Sequence, residues 1–197
     1  MSEKIIIDIV KEKNLEDFSK ALADSSSRVD AGCASAACAS MAAGLLCRAA
    51  GLIKNINPDN ERIDYIHKNS EILRNYMVFL IDEDVKCRGP LRKALKEGDA
   101  SRIEACVQPA TAINSELINM MHKLFEFLLE LKPFADETNS DLIYESAELA
   151  RAVTRVSADK IFSYNRLITD DTYLYVVKRE NEIALEETDD LYSQIFA

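Results

Sequence analysis

The chain has 197 residues, with hydrophobic residues at 48%, charged residues at 29% and a formal net charge of −10. These values describe one globular domain, residues 1–197, able to bury a core without disulfides or metals. They exclude nucleic acid as the main partner, because phosphate backbones demand basic surfaces, and they argue against anionic membranes.

Only five Gly and four Pro occur, which leaves few turns and favours long helices. No segment alternates with a two-residue period for long enough to make a strand. The expected fold is all-α: an antiparallel bundle of about five to seven helices.

In chain order, MSEKIIIDIV does not read as a signal peptide, since its apolar run is short and interrupted by Asp8. Residues 4 to 23 read as one or two short helices, with Asn14 as an N-cap and Phe18 and Leu22 on one face. Asp30 caps the next helix, which runs to about Asn55. Its stretch from Ala31 to Ile53 is rich in Ala, Gly, Ser and Cys, and Arg48 is its one charge. Such side chains are too weakly lipophilic for a spanning helix and suit a tightly packed central one.

Asn57-Pro58-Asp59 signals the start of a third long helix. Its stripe of Ile63, Ile66, Ser70, Leu73, Met77, Leu80 and Asp84 has the 3,4 spacing of a packed seam. Gly89-Pro90 is expected to break or bend it, with a short basic helix from Leu91 to Lys96 ended by Gly98. Ser101 and Glu104 form a capping box for a fourth helix, which Pro109 bends early and Pro133 ends. A helix from about Ser140 to Leu167 follows, with Leu142, Ser146, Leu149, Val153 and Val156 inward. Thr169-Asp170-Asp171 caps the last.

The short motifs of nucleotide and hydrolase sites are missing, so any chemistry must come from carboxylates, hydroxyls and thiols in a cleft between helices. Asp84 is the first candidate, because a carboxylate continuing an apolar seam is desolvated and its pKa raised toward that of a general acid. Asp82 lies about 200° further round the helix and cannot share a site with it. Asp159 and Ser163 share a face with Ala152 and Val156, which is equally the pattern of a solvated face. Asp141 fits a helix-capping role. Arg88, Arg92, Lys93 and Lys96 could meet a polyanion or form a solvated basic face. Cys33, Cys38, Cys47, Cys87 and Cys106 are odd in number and read as buried reduced thiols. His67 and His122 have no metal-site spacing to a Cys pair, so no metal is expected.

These residues also carry a resemblance. Phe18-x3-Leu22, then Val29-Asp30-Ala31-Gly32-Cys33-Ala34-Ser35-Ala36 before an Ala-rich helix, resembles the opening of the formiminotransferase-cyclodeaminase and methenyltetrahydrofolate cyclohydrolase family. Leu80-Ile81-Asp82-Glu83-Asp84-Val85 is similar to its central acidic motif, and Ser140-Asp141-Leu142 with Asp159 and Ser163 is similar to its C-terminal motif. The similarity covers about residues 15 to 170.

The resemblance implies a cytoplasmic homodimer that acts on a tetrahydrofolate derivative as its substrate, with no cofactor. The implied reactions are cyclodeamination of formimino-tetrahydrofolate, a lyase reaction, or hydrolysis of the methenyl form. It implies Asp84 as acid/base, Asp141 as an anchor, and Asp30, Gly32, Cys33, Arg88, Asp159 and Ser163 around the substrate. The chain departs from the family where a Pro-Gly-Gly-Gly-Ser turn becomes Val29-Asp30-Ala31-Gly32-Cys33. It departs again where an aromatic becomes Arg88 and an Asn pair becomes Asp159 and Ser163. A second reading therefore stands beside the first: a homologue that binds another ligand, or an oligomeric helical scaffold without catalysis.

Overall fold

The computed structural model describes residues 9–197. Six helices follow one another: α1 Leu15–Ala23, α2 Ala31–Ile56, α3 Glu61–Glu97, α4 Ala100–Leu131, α5 Ser140–Asn165 and α6 Asp171–Phe196. Short 3-10 turns lie at Val10–Glu12 and Lys132–Phe134, and no strand occurs among the described residues. The all-α expectation holds. The part of the first predicted helix that precedes Ile9 lies outside the described residues.

α2 is the centre of the bundle, in contact with α3, α4 and α5. It is also the one described helix long and apolar enough to cross a membrane. Ala36, Ala39, Ala42, Ala43, Ala49 and Ala50 are fully buried along it. Their small side chains let the neighbouring helices close on its backbone. At one such approach the Ser146 hydroxyl of α5 donates to the Ala42 carbonyl at 2.8 Å. α3 runs antiparallel to α2, with Gly32 beside Asp84 at one end and Gly51 beside His67 at the other. α3 and α4 are likewise antiparallel, joined edge-on by Tyr65 and Phe127 and by the Arg62–Glu130 pair at 2.7 Å. α6 closes the outer side through Tyr144, Tyr192 and Phe196.

The caps match the sequence reading at Asn14, Asp30 and Asp170, whose side chains accept from N–H groups of the following turn. Three boundaries differ. α3 starts at Glu61 with Asn60 as cap, whereas the Asn57 amide turns back to the Ile53 carbonyl and ends α2. α4 is capped by Asp99, which accepts from Arg102 N–H, so Ser101 lies inside the helix and forms no capping box.

α3 also continues through Gly89-Pro90 to Glu97, where Gly98 in the left-handed conformation ends it. A proline in a helix costs about 3 kcal/mol. Here that cost is met by tertiary anchoring on both sides of it: Leu91 and Ala94 beyond it are buried, and Arg88 before it and Arg92 after it are both held by Asp30. On α5 the buried stripe runs through Ile143, Ser146, Ala147, Ala150, Val153 and Ser157. Val156, expected inward, is 44% exposed.

Candidate functional site

The first turn of α2, the middle of α3 and the last turns of α5 converge on one carboxylate. Asp84 is 2% exposed. Its carboxylate lies against the Gly32 Cα, so near that a side chain at position 32 would occupy the same space. This is where glycine is required: the acid and the helix backbone can meet only in the absence of a Cβ. Cys33 donates its thiol to Asp84 Oδ2 at 3.6 Å and to the Ile81 carbonyl at the same distance. Arg88, one turn further along α3, places Nη1 3.8 Å from Asp84 and pairs directly with Asp30. Arg92 pairs with the second oxygen of Asp30. Asp30 thus does two jobs, capping α2 through Gly32 N–H at 2.9 Å and clamping two guanidiniums over the turn.

From α5, Lys160 reaches the Ser35 hydroxyl at 3.4 Å, and its ammonium is electrostatically coupled to Asp84, Arg88 and Asp30. Tyr164 feels the same three groups and hydrogen bonds with Arg88.

Burial governs the electrostatics. Desolvation raises the Asp84 pKa, with Asp30 adding to it while Arg88 and Lys160 oppose it. Desolvation lowers the Lys160 pKa against the pull of Asp84. The Cys33 thiol is pushed up to about 12, chiefly by burial, and stays protonated as a donor to Asp84. Tyr164 is likewise raised by burial. The same burial shifts the acid up and the base down, so each is moved toward its neutral form. Beside this cluster a 260 Å³ cavity is lined by Arg28, Val85, Arg88, Gly89, Arg92 and Lys93, together with Lys96.

Of the residues singled out in the sequence, Asp84, Asp30, Gly32, Cys33 and Arg88 come together. Asp141 is exposed in the first turn of α5, about 28 Å by helix rise from Lys160. Asp159 and Ser163 are also exposed, on the face they share with Ala152 and Val156. The pair of the same spacing that turns toward this cluster is one residue on, Lys160 and Tyr164, both electrostatically coupled to Asp84, which the sequence reading missed. A signal existed: Ser146, Ala150, Val153, Ser157, Lys160 and Tyr164 continue one 3,4 seam, the one that meets α2. Asp82 points elsewhere, as its angle required. It accepts from the Val10 and Lys11 N–H groups at 2.8 and 3.1 Å and anchors the segment before α1. The five cysteines are free, but only Cys33 is buried; the other four are half-buried.

The chain belongs to the formiminotransferase-cyclodeaminase family, whose model matches residues 14–182. Among solved structures it is similar to formiminotetrahydrofolate cyclodeaminase from Thermotoga maritima, with a TM-score of 0.86 at 19% identity over 94% of this chain and 95% of that one. None of the curated proteins matches it in sequence.

Proposed function

We propose that the chain acts on a tetrahydrofolate one-carbon derivative, with Asp84 as the acid/base. The observation that carries the reading is the buried Asp84 carboxyl, its pKa raised by desolvation, seated on the Gly32 backbone and electrostatically coupled to Lys160. Family membership and the name of the structural neighbour point to the same chemistry.

In cyclodeamination, N10 of formimino-tetrahydrofolate bonds to the formimino carbon and loses its proton. The C–N bond to the amino group then breaks, and ammonia leaves with one further proton taken up. A neutral acid must supply that proton at a carbon flanked by nitrogens. A carboxyl whose pKa is raised by burial is suited to the task. Lys160, whose pKa burial lowers, is the nearby group on α5 to relay the proton from N10. Cys33 and Tyr164 remain protonated and orient the carboxylate and Arg88. Hydrolysis of the methenyl form to the 10-formyl form uses the same groups on an attacking water.

The guanidiniums of Arg88 and Arg92 favour the second reading of another, anionic ligand. They close the turn before α2 with Asp30, and the cavity they line carries five cationic side chains, Arg28, Arg88, Arg92, Lys93 and Lys96. Assembly as a homodimer belongs to the same proposal and is read by sedimentation.

The test follows ammonia release from formimino-tetrahydrofolate and loss of the methenyl chromophore in parallel, for wild type and Asp84→Asn. Acceleration of either by wild type and not by the variant supports the proposal. If both proteins match buffer, and folates leave the melting temperature unchanged, the anionic-ligand reading takes its place.

A further inference from the structure

A second group of chemically able side chains lies at the opposite end of the α2–α3 pair. Cys47 on α2 and His67 and Glu71 on α3 bring a thiol sulfur, an imidazole nitrogen and a carboxylate oxygen all within 4.8 Å of one another. His67 and Glu71 are spaced i,i+4 and share a helix face. Cys47 and Gly51 are spaced likewise on α2, facing them. Gly51 lets the ring approach the α2 backbone: a Cβ there would stand 3.3 Å from His67 Nε2. The helix spacing fixes all three donors without a loop. By helix rise the group is about 20 Å from Asp84, so it is separate from the carboxylate site.

The group opens into a broad surface hollow lined by Gly44, Cys47, Arg48, Gly51, Leu52 and His67, among others. Cys47 and His67 are half-buried and Glu71 is exposed. The donors are therefore reachable from solvent. Arg74 at the rim is engaged with Asn75 at 3.2 Å, and Lys54 with Asp64.

We propose that Cys47, His67 and Glu71 bind a divalent transition metal of the zinc class, clipping α2 to α3. A thiolate, an imidazole and a carboxylate are the donor types such ions take, and three protein ligands leave a fourth position of the tetrahedron for water or a small anion. Thiolate and carboxylate together carry two negative charges, which matches a dication. Binding releases the thiol proton. No motif along the chain marks this group, because its ligands come from two helices, with Cys47 and His67 20 residues apart and no Cys pair among them. The clip joins the helices whose other end holds Gly32 against Asp84, and its occupancy stabilises that pairing by mass action.

The experiment is equilibrium dialysis of the full chain, under reducing conditions, against zinc and then cobalt. The readouts are metal per chain by elemental analysis, the thiolate-to-cobalt charge-transfer absorption, and the thermal midpoint. The expected result is one metal per chain at micromolar free ion, a cobalt–thiolate band, and a midpoint that rises with metal. Cys47→Ser removes the band. His67→Ala and Glu71→Gln each weaken binding at least about tenfold. Glu71 is exposed, so its variant reads the site without disturbing the core. Wild type that retains no metal at micromolar ion overturns the proposal. So does a band or stoichiometry unchanged in Cys47→Ser, which would place the metal on the remaining four thiols.

Discussion

The contact between Gly32 and the Asp84 carboxylate makes a sharp prediction. In Gly32→Ala the added methyl falls well inside van der Waals distance of all three carboxyl atoms. Those atoms are not the loose end of an exposed side chain; Asp84 is buried and hemmed in by Cys33, Arg88 and the α2 backbone. The methyl must push the carboxyl aside or part α2 from α3. Overpacking of this kind costs about 1–3 kcal/mol. Replacing glycine by alanine in a helix returns up to about 1 kcal/mol. The net loss of about 1–2 kcal/mol corresponds to a fall of about 2–8 °C in the melting temperature of a chain this size.

Gly44→Ala is the control. Position 44 is also helical, but a Cβ there meets only Arg74 Cδ, at 3.9 Å, an ordinary contact. It should gain about 0.5–1 kcal/mol, a rise of about 1–4 °C. Thermal melts followed by circular dichroism measure both. Activity adds a second axis, because displacing an acid by about 1 Å can cost about 100-fold. If Gly32→Ala melts like Gly44→Ala and turns over like wild type, the seating of Asp84 on the Gly32 backbone is wrong.

The other predictions concern the carboxylates. Burial raises the Asp84 pKa, so the stability tied to this group is full below the ordinary aspartate range and declines as pH rises through its folded value. Asp84→Asn cannot ionise; relative to wild type it should gain stability from acid to neutral pH while losing turnover, which melts across a pH series and the ammonia assay will show. Asp30→Asn keeps the α2 cap but loses the charge that holds Arg88 and Arg92, for a cost of about 1–2 kcal/mol. Asp30→Ala loses the cap as well, for about 1 kcal/mol more. Equal melting temperatures for the two would mean the cap contributes nothing. Asp82→Ala leaves the Val10 and Lys11 N–H groups without their acceptor. It should cost about 1–3 kcal/mol and speed tryptic cleavage after Lys11, read by mass spectrometry of timed digests.

The sequence by itself determined the helical class, the central place of α2, and Asp84 as the buried acid. These are local facts. Alanine and serine spacing marks a helix that neighbours can approach, and a carboxylate on the 3,4 seam of Ile63 to Leu80 must be desolvated wherever that seam packs. The opposite placement of Asp82 followed from helix geometry alone. Caps were legible where one polar residue stood before the apolar run, as at Asp30, and ambiguous where several did, as at Asn57 and Asn60.

Tertiary structure decided the rest. Pro90 reads as a break, yet α3 passes through it because Arg88 before it and Leu91, Arg92 and Ala94 after it are all anchored. Register settled which i,i+4 pair of α5 faces the acid: Lys160 and Tyr164, one residue past the pair that sequence similarity suggested. A step of one residue turns a helix by about 100°, enough to carry a side chain from solvent to the core. The grouping of Cys47 with His67 and Glu71 likewise exists only once α2 and α3 are paired antiparallel, since nothing along the chain relates a residue to its partner on the facing helix.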